Sequence, residues 1–210
     1  ESAYLGCLYD SSVLEIVDVP SVQLVQYSGW MGRRLPLHCT SSGKVLLASL
    51  PPERLEQLLD TLELPAVTSR TITDRAQLRA ELARVREQGF ATDFGEYEEG
   101  SHAVAVPLLS GGGWAPIEIA VVGPAYRFTE EKVLQSTAAL TAVARELSNS
   151  FATSILQWIQ YERSEFTAAR AEATARGTRM ATMPGSSDDV FRRAVDVDYG
   201  ELKRAGEALA

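Results

Sequence analysis

Hydrophobic periodicity changes twice along this chain, and the order of the changes limits the folds open to it. Segments 3–9 (AYLGCLY) and 13–19 (VLEIVDV) are rich in β-branched and aromatic residues and are separated by Asp10, Ser11 and Ser12, a hairpin signal. VQLVQYS at 22–28 alternates apolar and polar residues and predicts a third strand, after which Gly29, Gly32 and Arg33-Arg34 mark a loop. The period then lengthens. Thr40 or Ser41 caps a helix through Lys44 to Ser49, Pro52 opens a second that runs to about 62, and Asp74 caps a third that Gly89 ends. Strand-like runs return at 89–94 (GFATDF), 102–109 (HAVAVPLL) and 116–122 (PIEIAVV), the last two joined across SGGGW at 110–114. Thr129 caps a long helix striped by Val133, Leu134, Ala138, Leu140, Val143, Ala144 and Leu147, with no Pro or Gly before Gly177. Strands, helices, strands, helix is the order of an α+β domain: an antiparallel sheet with helices on its faces.

The domain expected from this order spans residues 1–150. Residues 151–210 read as a helical extension, a linker at 177–187 and a weakly apolar tail. Trp158, Ile159, Tyr161 and Phe166 fit either a helix packed on its own domain or a neighbouring subunit, or a partly solvated one. The first methionine is Met31, so a fragment or a processed product is expected. At net charge −8, without a basic stripe, the chain is not expected to bind DNA by itself, because phosphate neutralisation supplies most of that affinity. Two cysteines make no disulfide framework, and no apolar run reaches membrane-span length; a cytoplasmic protein with no membrane partner is the expectation.

The stretch LPLHCTSSGKVLLASLPPE, from Leu35, concentrates the chemistry-bearing residues. His38 and Cys39 are adjacent, which points their side chains apart on an extended segment and argues against a nucleophile–base dyad. SSGKV lacks the upstream glycine and the following hydroxyl of a phosphate-binding loop. What remains is a helix entrance whose small residues leave backbone N–H groups uncovered at the positive end of a helix, either simple capping or a seat for a carboxylate. Glu96, Glu98 and Glu99 with the two histidines show no metal-ligand spacing, so no metal and no cofactor are expected.

Taken together, three blocks carry a resemblance. LPLHCTSSGKVLLASLPPE resembles the "LPxHATAxGKALLAxLP" signature of the IclR family of bacterial transcription regulators. GFATDFGEYEEGSHAVAVPL resembles that family's "GYAxDxEExxxGxxCIAAPV" block, and IEIAVVGPAYRFT its "AAISVSGPxxRxT" block. The resemblance covers roughly residues 1–150. It implies a GAF-like effector-binding domain, preceded in family members by a winged helix-turn-helix that is absent from this chain, and assembled as a dimer or tetramer. DNA would then be met only through that absent domain.

In such relatives a small carboxylate is held by backbone amides at the helix entrance, a position that falls on Ser41 and Ser42. A pocket aspartate of the family falls on Asp93. The cysteine of "CIAAPV" falls on Ala103, and the two hydroxyl positions of "SxSGP" fall on Ala120 and Val122. By strand alternation Ser101 shares a face with Ala103, and Glu118 either joins Ala120 and Val122 or meets solvent at the strand's edge. Met31 and Leu35 are expected to supply apolar wall. Exchanging polar contacts for methyl-bearing ones favours an organic acid with an apolar or aromatic body over a very small polar acid. Two alternatives stand beside this sensor: an oligomerisation module whose pocket is degenerate, and a cysteine enzyme built from Cys39, His102 and Asp93.

Overall fold

The computed structural model describes residues 1–108 and 116–149. The expected 110–114 hairpin turn and everything expected of 151–210 lie outside the described residues.

Six strands form one antiparallel sheet: β1 (Ser2–Tyr9), β2 (Ser12–Val19), β3 (Arg34–Pro36), β4 (Ala91–Phe94), β5 (Ser101–Leu108) and β6 (Ile117–Pro124), in the order β3-β2-β1-β6-β5-β4. The first strand therefore lies at the centre, against the last. Helices α1 (Ser41–Ala48), α2 (Pro52–Thr61) and α3 (Arg75–Gln88) cover one face, and a helix at 130–149, α4, covers the other. Each face has its own core. Val45, Leu46, Leu47, Leu59, Leu78 and Leu82 close over Val13, Ala91, Ala105 and Ala120; Val133, Leu140, Ala144 and Leu147 close over Leu5, Val104, Val106, Ile119 and Val121. Among the described residues no helix is long and apolar enough to cross a membrane.

The caps act where the sequence places them. Thr40 Oγ1 accepts from the Gly43 amide at 3.0 Å, and Asp74 Oδ1 from the Gln77 amide at 2.8 Å. Gly89 closes α3 with φ 83°, the left-handed conformation that favours glycine. Gly43 has a different reason: a Cβ there would stand 2.4 Å from the Leu37 backbone, so the α1 entrance fits only without a side chain.

Two expectations fail. Residues 22–28 do not form a strand; the segment runs irregularly across the sheet's open end, and Val22, Leu24 and Val25 are exposed. Alternation alone does not make a strand: β3 pairs with only Ser12, Val13 and Leu14 of β2, and residues 22–28 take no register with the remainder of that edge. The short β3, inside the region read as loop and helix entrance, takes the first part of that edge. Leu134 and Ala138 also leave the expected stripe and are exposed.

Candidate effector site

Cross-strand register on the α1–α3 face sets the site. Asp93 pairs with Ala103, Ala103 with Val122, and Val122 with Ser2, one row across four strands. The next row is Ala91, Ala105, Ala120, Tyr4 and Asp18, and a third places Glu118 opposite Gly6 and Gly6 opposite Glu15. Asp93, Ser101, Ala103, Glu118, Ala120 and Val122 thus share one face by alternation, as the sequence implied. Glu118 is 0 % exposed, which settles its alternative against the solvent-facing reading.

Over this face stands the N-terminus of α1. Thr40 satisfies the Gly43 amide through its hydroxyl and the Lys44 amide through its carbonyl. The described hydrogen bonds supply no acceptor to the amides of Ser41 and Ser42, both buried. Two unsatisfied N–H groups at the positive end of a helix are suited to an anion.

The apolar wall differs from expectation. Met31 is 69 % exposed, and Leu35 is buried in the core beneath α1–α3, opposite Val13. Trp30, its neighbour in the chain, packs among aromatic rings instead. Its ring lies 5.8 Å from Tyr4, 6.2 Å from Tyr27 and 6.1 Å from Tyr97, centroid to centroid. The loop carrying Trp30 is pinned to the sheet: Asp18 Oδ2 accepts from the amides of Gly29 at 2.5 Å and Trp30 at 3.0 Å, and Ser2 Oγ donates to the Tyr27 carbonyl at 2.6 Å.

Sequence reasoning missed Lys44 and Glu15. Lys44, 1 % exposed, donates from Nζ to Glu96 Oε1 at 2.5 Å and lies 3.3 Å from Glu81 Oε1. Asp93 Oδ1 accepts from the amides of Glu96 at 2.6 Å and Tyr97 at 3.4 Å, so the same turn is held from both sides. Burial raises the Asp93 carboxyl to about 7, against the backbone amides that favour its ionised form. Glu15 lies on this face with Val13 by alternation, and a β-bulge follows it: Leu5 pairs with Val17 but Gly6 with Glu15, so Ile16 is the extra residue and Val17 turns to the opposite face. A charged residue at an inward position of VLEIVDV was the signal available in the sequence.

Glu15 and Glu118 flank Gly6. A Cβ on Gly6 would stand 2.6 Å from Glu118 Oε1 and 3.4 Å from Glu15 Oε2. Burial, then the Asp18 charge, raises Glu15 to about 8; burial, then Glu15, raises Glu118 well above the carboxylate range. Neither Glu118 oxygen has a hydrogen-bond partner, although the Ser42 hydroxyl and the Gly6 backbone lie near enough to favour its ionised form.

The cysteine-enzyme alternative does not assemble. Cys39 is buried and its thiol is pushed up to about 12, by burial first and then by Asp93 and Glu96. His102 lies on the opposite face from Asp93, its Nδ1 hydrogen-bonded to the Phe128 carbonyl at 2.9 Å and its ring against Phe94. His38 Nε2 is 3.0 Å from the Pro65 carbonyl. An open cleft of about 450 Å³ lies elsewhere, along the β4 edge between α3 and α4, lined by Arg70, Arg84, Phe94 and Leu134 among others, and contains none of the residues expected to bind effector.

The family model for the bacterial transcriptional regulator IclR C-terminal region matches residues 1–149. This chain belongs to the IclR family. Among curated relatives, the transcriptional regulator KdgR of Escherichia coli K12 is 36 % identical over 148 residues, covering 70 % of this chain and 56 % of KdgR. This IclR chain spans about half the length of the curated relatives it matches. The Thermotoga maritima IclR crystal structure superposes with a TM-score of 0.68 at 31 % identity, covering 72 % of this chain and 62 % of that one. A complex of the inducer-binding domain of an Acinetobacter PobR double mutant with 3-hydroxybenzoic acid superposes with a TM-score of 0.64 at 28 % identity, covering 70 % and 86 %. These relatives are named as regulators of transcription, not enzymes.

Proposed function

We infer that this is the effector-binding and oligomerisation domain of a transcription regulator, and that its effector is a small organic acid with an apolar or aromatic body. The observation that carries the reading is the α1 entrance, where the buried amides of Ser41 and Ser42 have no acceptor while Ala103, Ala120 and Val122 present methyl groups across the sheet. The amides receive the carboxylate, and the aromatic group of Trp30, Tyr4 and Tyr27 covers the body. The acid complex of the PobR inducer-binding domain supports this class of ligand. Occupancy biases how a homodimer or tetramer presents DNA-binding domains carried elsewhere in the full-length regulator.

The bonds of Asp93 favour a second reading. Its Oδ1 is already committed to the amides of Glu96 and Tyr97, a structural role that suits an oligomerisation platform without effector. A thermal-shift screen against aliphatic and aromatic acids separates the two. A dose-dependent rise in Tm with an aromatic acid is the expected result; no rise with any acid at millimolar concentration supports the platform, and a rise with glyoxylate alone rejects the apolar-body class.

A further inference from the structure

The α1 entrance supplies donors for an acid, and deeper on the same face a cluster of carboxyl and hydroxyl oxygens has no hydrogen-bond partner. Both oxygens of Glu118 and Oε2 of Glu15 are buried and unpartnered, and so is the Tyr4 hydroxyl. Buried carboxyl oxygens normally meet donors, so each of these calls for an explanation. Asp18 Oδ1 and Glu96 Oε2 are unpartnered as well, but the first four group around one stretch of β1. Gly6 lies between the two carboxyls with no side chain, and any Cβ there would collide with Glu118 Oε1 and with Val13. Tyr4 is two residues along β1 on the same face, beneath Trp30.

Among the described residues, no group of three or more His, Cys, Asp or Glu is placed to hold a metal ion. Two carboxyls across a glycine, with Tyr4 two residues along β1 on the same face, suit an organic donor better. Resting on the organic-acid reading above, we propose that the effector carries a second polar group, a hydroxyl or amino donor, which Glu118 and Glu15 receive across Gly6. The ligand is then polar at both ends and apolar between them: carboxylate to the Ser41 and Ser42 amides, donor to the carboxyl pair, body against Ala120 and the rings. An acid without the donor leaves the carboxyl pair as unsatisfied as it is in the empty domain, and discrimination of this kind is large when a buried polar group is left unpaired.

The test is calorimetric titration of the 210-residue chain with benzoate, the hydroxybenzoate and aminobenzoate isomers, phenol and aniline. At least one hydroxy- or aminobenzoate is expected to bind about tenfold or more tighter than benzoate. Glu118→Leu is expected to erase that difference. Glu118→Gln, which keeps the volume and an acceptor, is expected to retain the preference for a hydroxyl or an amine over benzoate. Benzoate binding as tightly as every substituted acid overturns the donor inference and leaves the organic-acid reading intact. Phenol or aniline binding without benzoate overturns the organic-acid reading and supports the donor. Binding of no probe overturns both.

Discussion

Lys44 and Glu96, 52 residues apart, form an ion pair of 2.5 Å whose lysine is almost wholly excluded from solvent. The pair ties α1 to the turn after β4, and Glu81 on α3 is the second carboxylate within reach. Three elements therefore meet at one ammonium group.

Removing a single partner from such a cluster leaves buried charge without compensation. Lys44→Met is expected to cost about 3 kcal/mol of folding stability. Urea unfolding monitored by circular dichroism measures it. Lys44→Met combined with Glu96→Leu is expected to lose less than the single change, because the orphaned carboxylate goes with its partner. A Lys44→Met domain as stable as the parent would mean that this cluster is solvated in solution.

Glu118 presents the opposite case, a buried carboxyl with nothing to lose. Glu118→Leu removes two unpartnered oxygens from a fully buried position and is expected to raise stability by about 1–2 kcal/mol. The same urea titration reads it out. A loss of stability would show that Glu118 has donors in solution.

Those two residues also show what was legible in the sequence. The periodicity of the helices and strands, the Thr40 and Asp74 caps and the Gly89 stop were readable because each is local. The grouping of Asp93, Ala103, Ala120 and Val122 on one face followed from alternation once the blocks were ordered. The Lys44–Glu96 pair was not readable, since it depends on where a turn 52 residues downstream returns. Glu15 shares the face of Val13 by plain alternation; what the sequence did not show is the Ile16 bulge beyond it, which turns Val17 to the opposite face. The exposure of Met31 was not readable because loop residues have no periodicity to assign a side.

The buried carboxyls make stability depend on pH. Glu15, raised to about 8, Asp93, raised to about 7, and Glu118, raised by burial and by Glu15, hold protons in the folded domain that they release when it unfolds near neutrality. The folded state binds more protons in that interval, so stability is full below the unfolded carboxylate pKa and is lost as pH rises through the folded values. The Tm is expected to fall by several degrees between about pH 6 and about pH 8.5. Glu15→Gln should flatten that fall, with Asp93 still contributing the part centred near 7. A Tm that rises over this range would contradict the assignment.

Ser41→Pro isolates the carboxylate seat from the fold. Ser41 is the first residue of α1, where proline is tolerated because the N–H it removes has no helical acceptor. The preceding Thr40, at φ −114° and ψ 148°, already occupies the extended region that a following proline demands. Its cap to Gly43 is untouched. The substitution therefore deletes one of the two amides offered to an acid while leaving the helix entrance formed. Affinity for the tightest acid found by thermal shift is expected to fall about tenfold or more, with Tm of the empty domain changed by only a few degrees. Unchanged affinity in a folded Ser41→Pro domain would place the acid elsewhere, and the β4-edge cleft with Arg70 and Arg84 would be the next site to test.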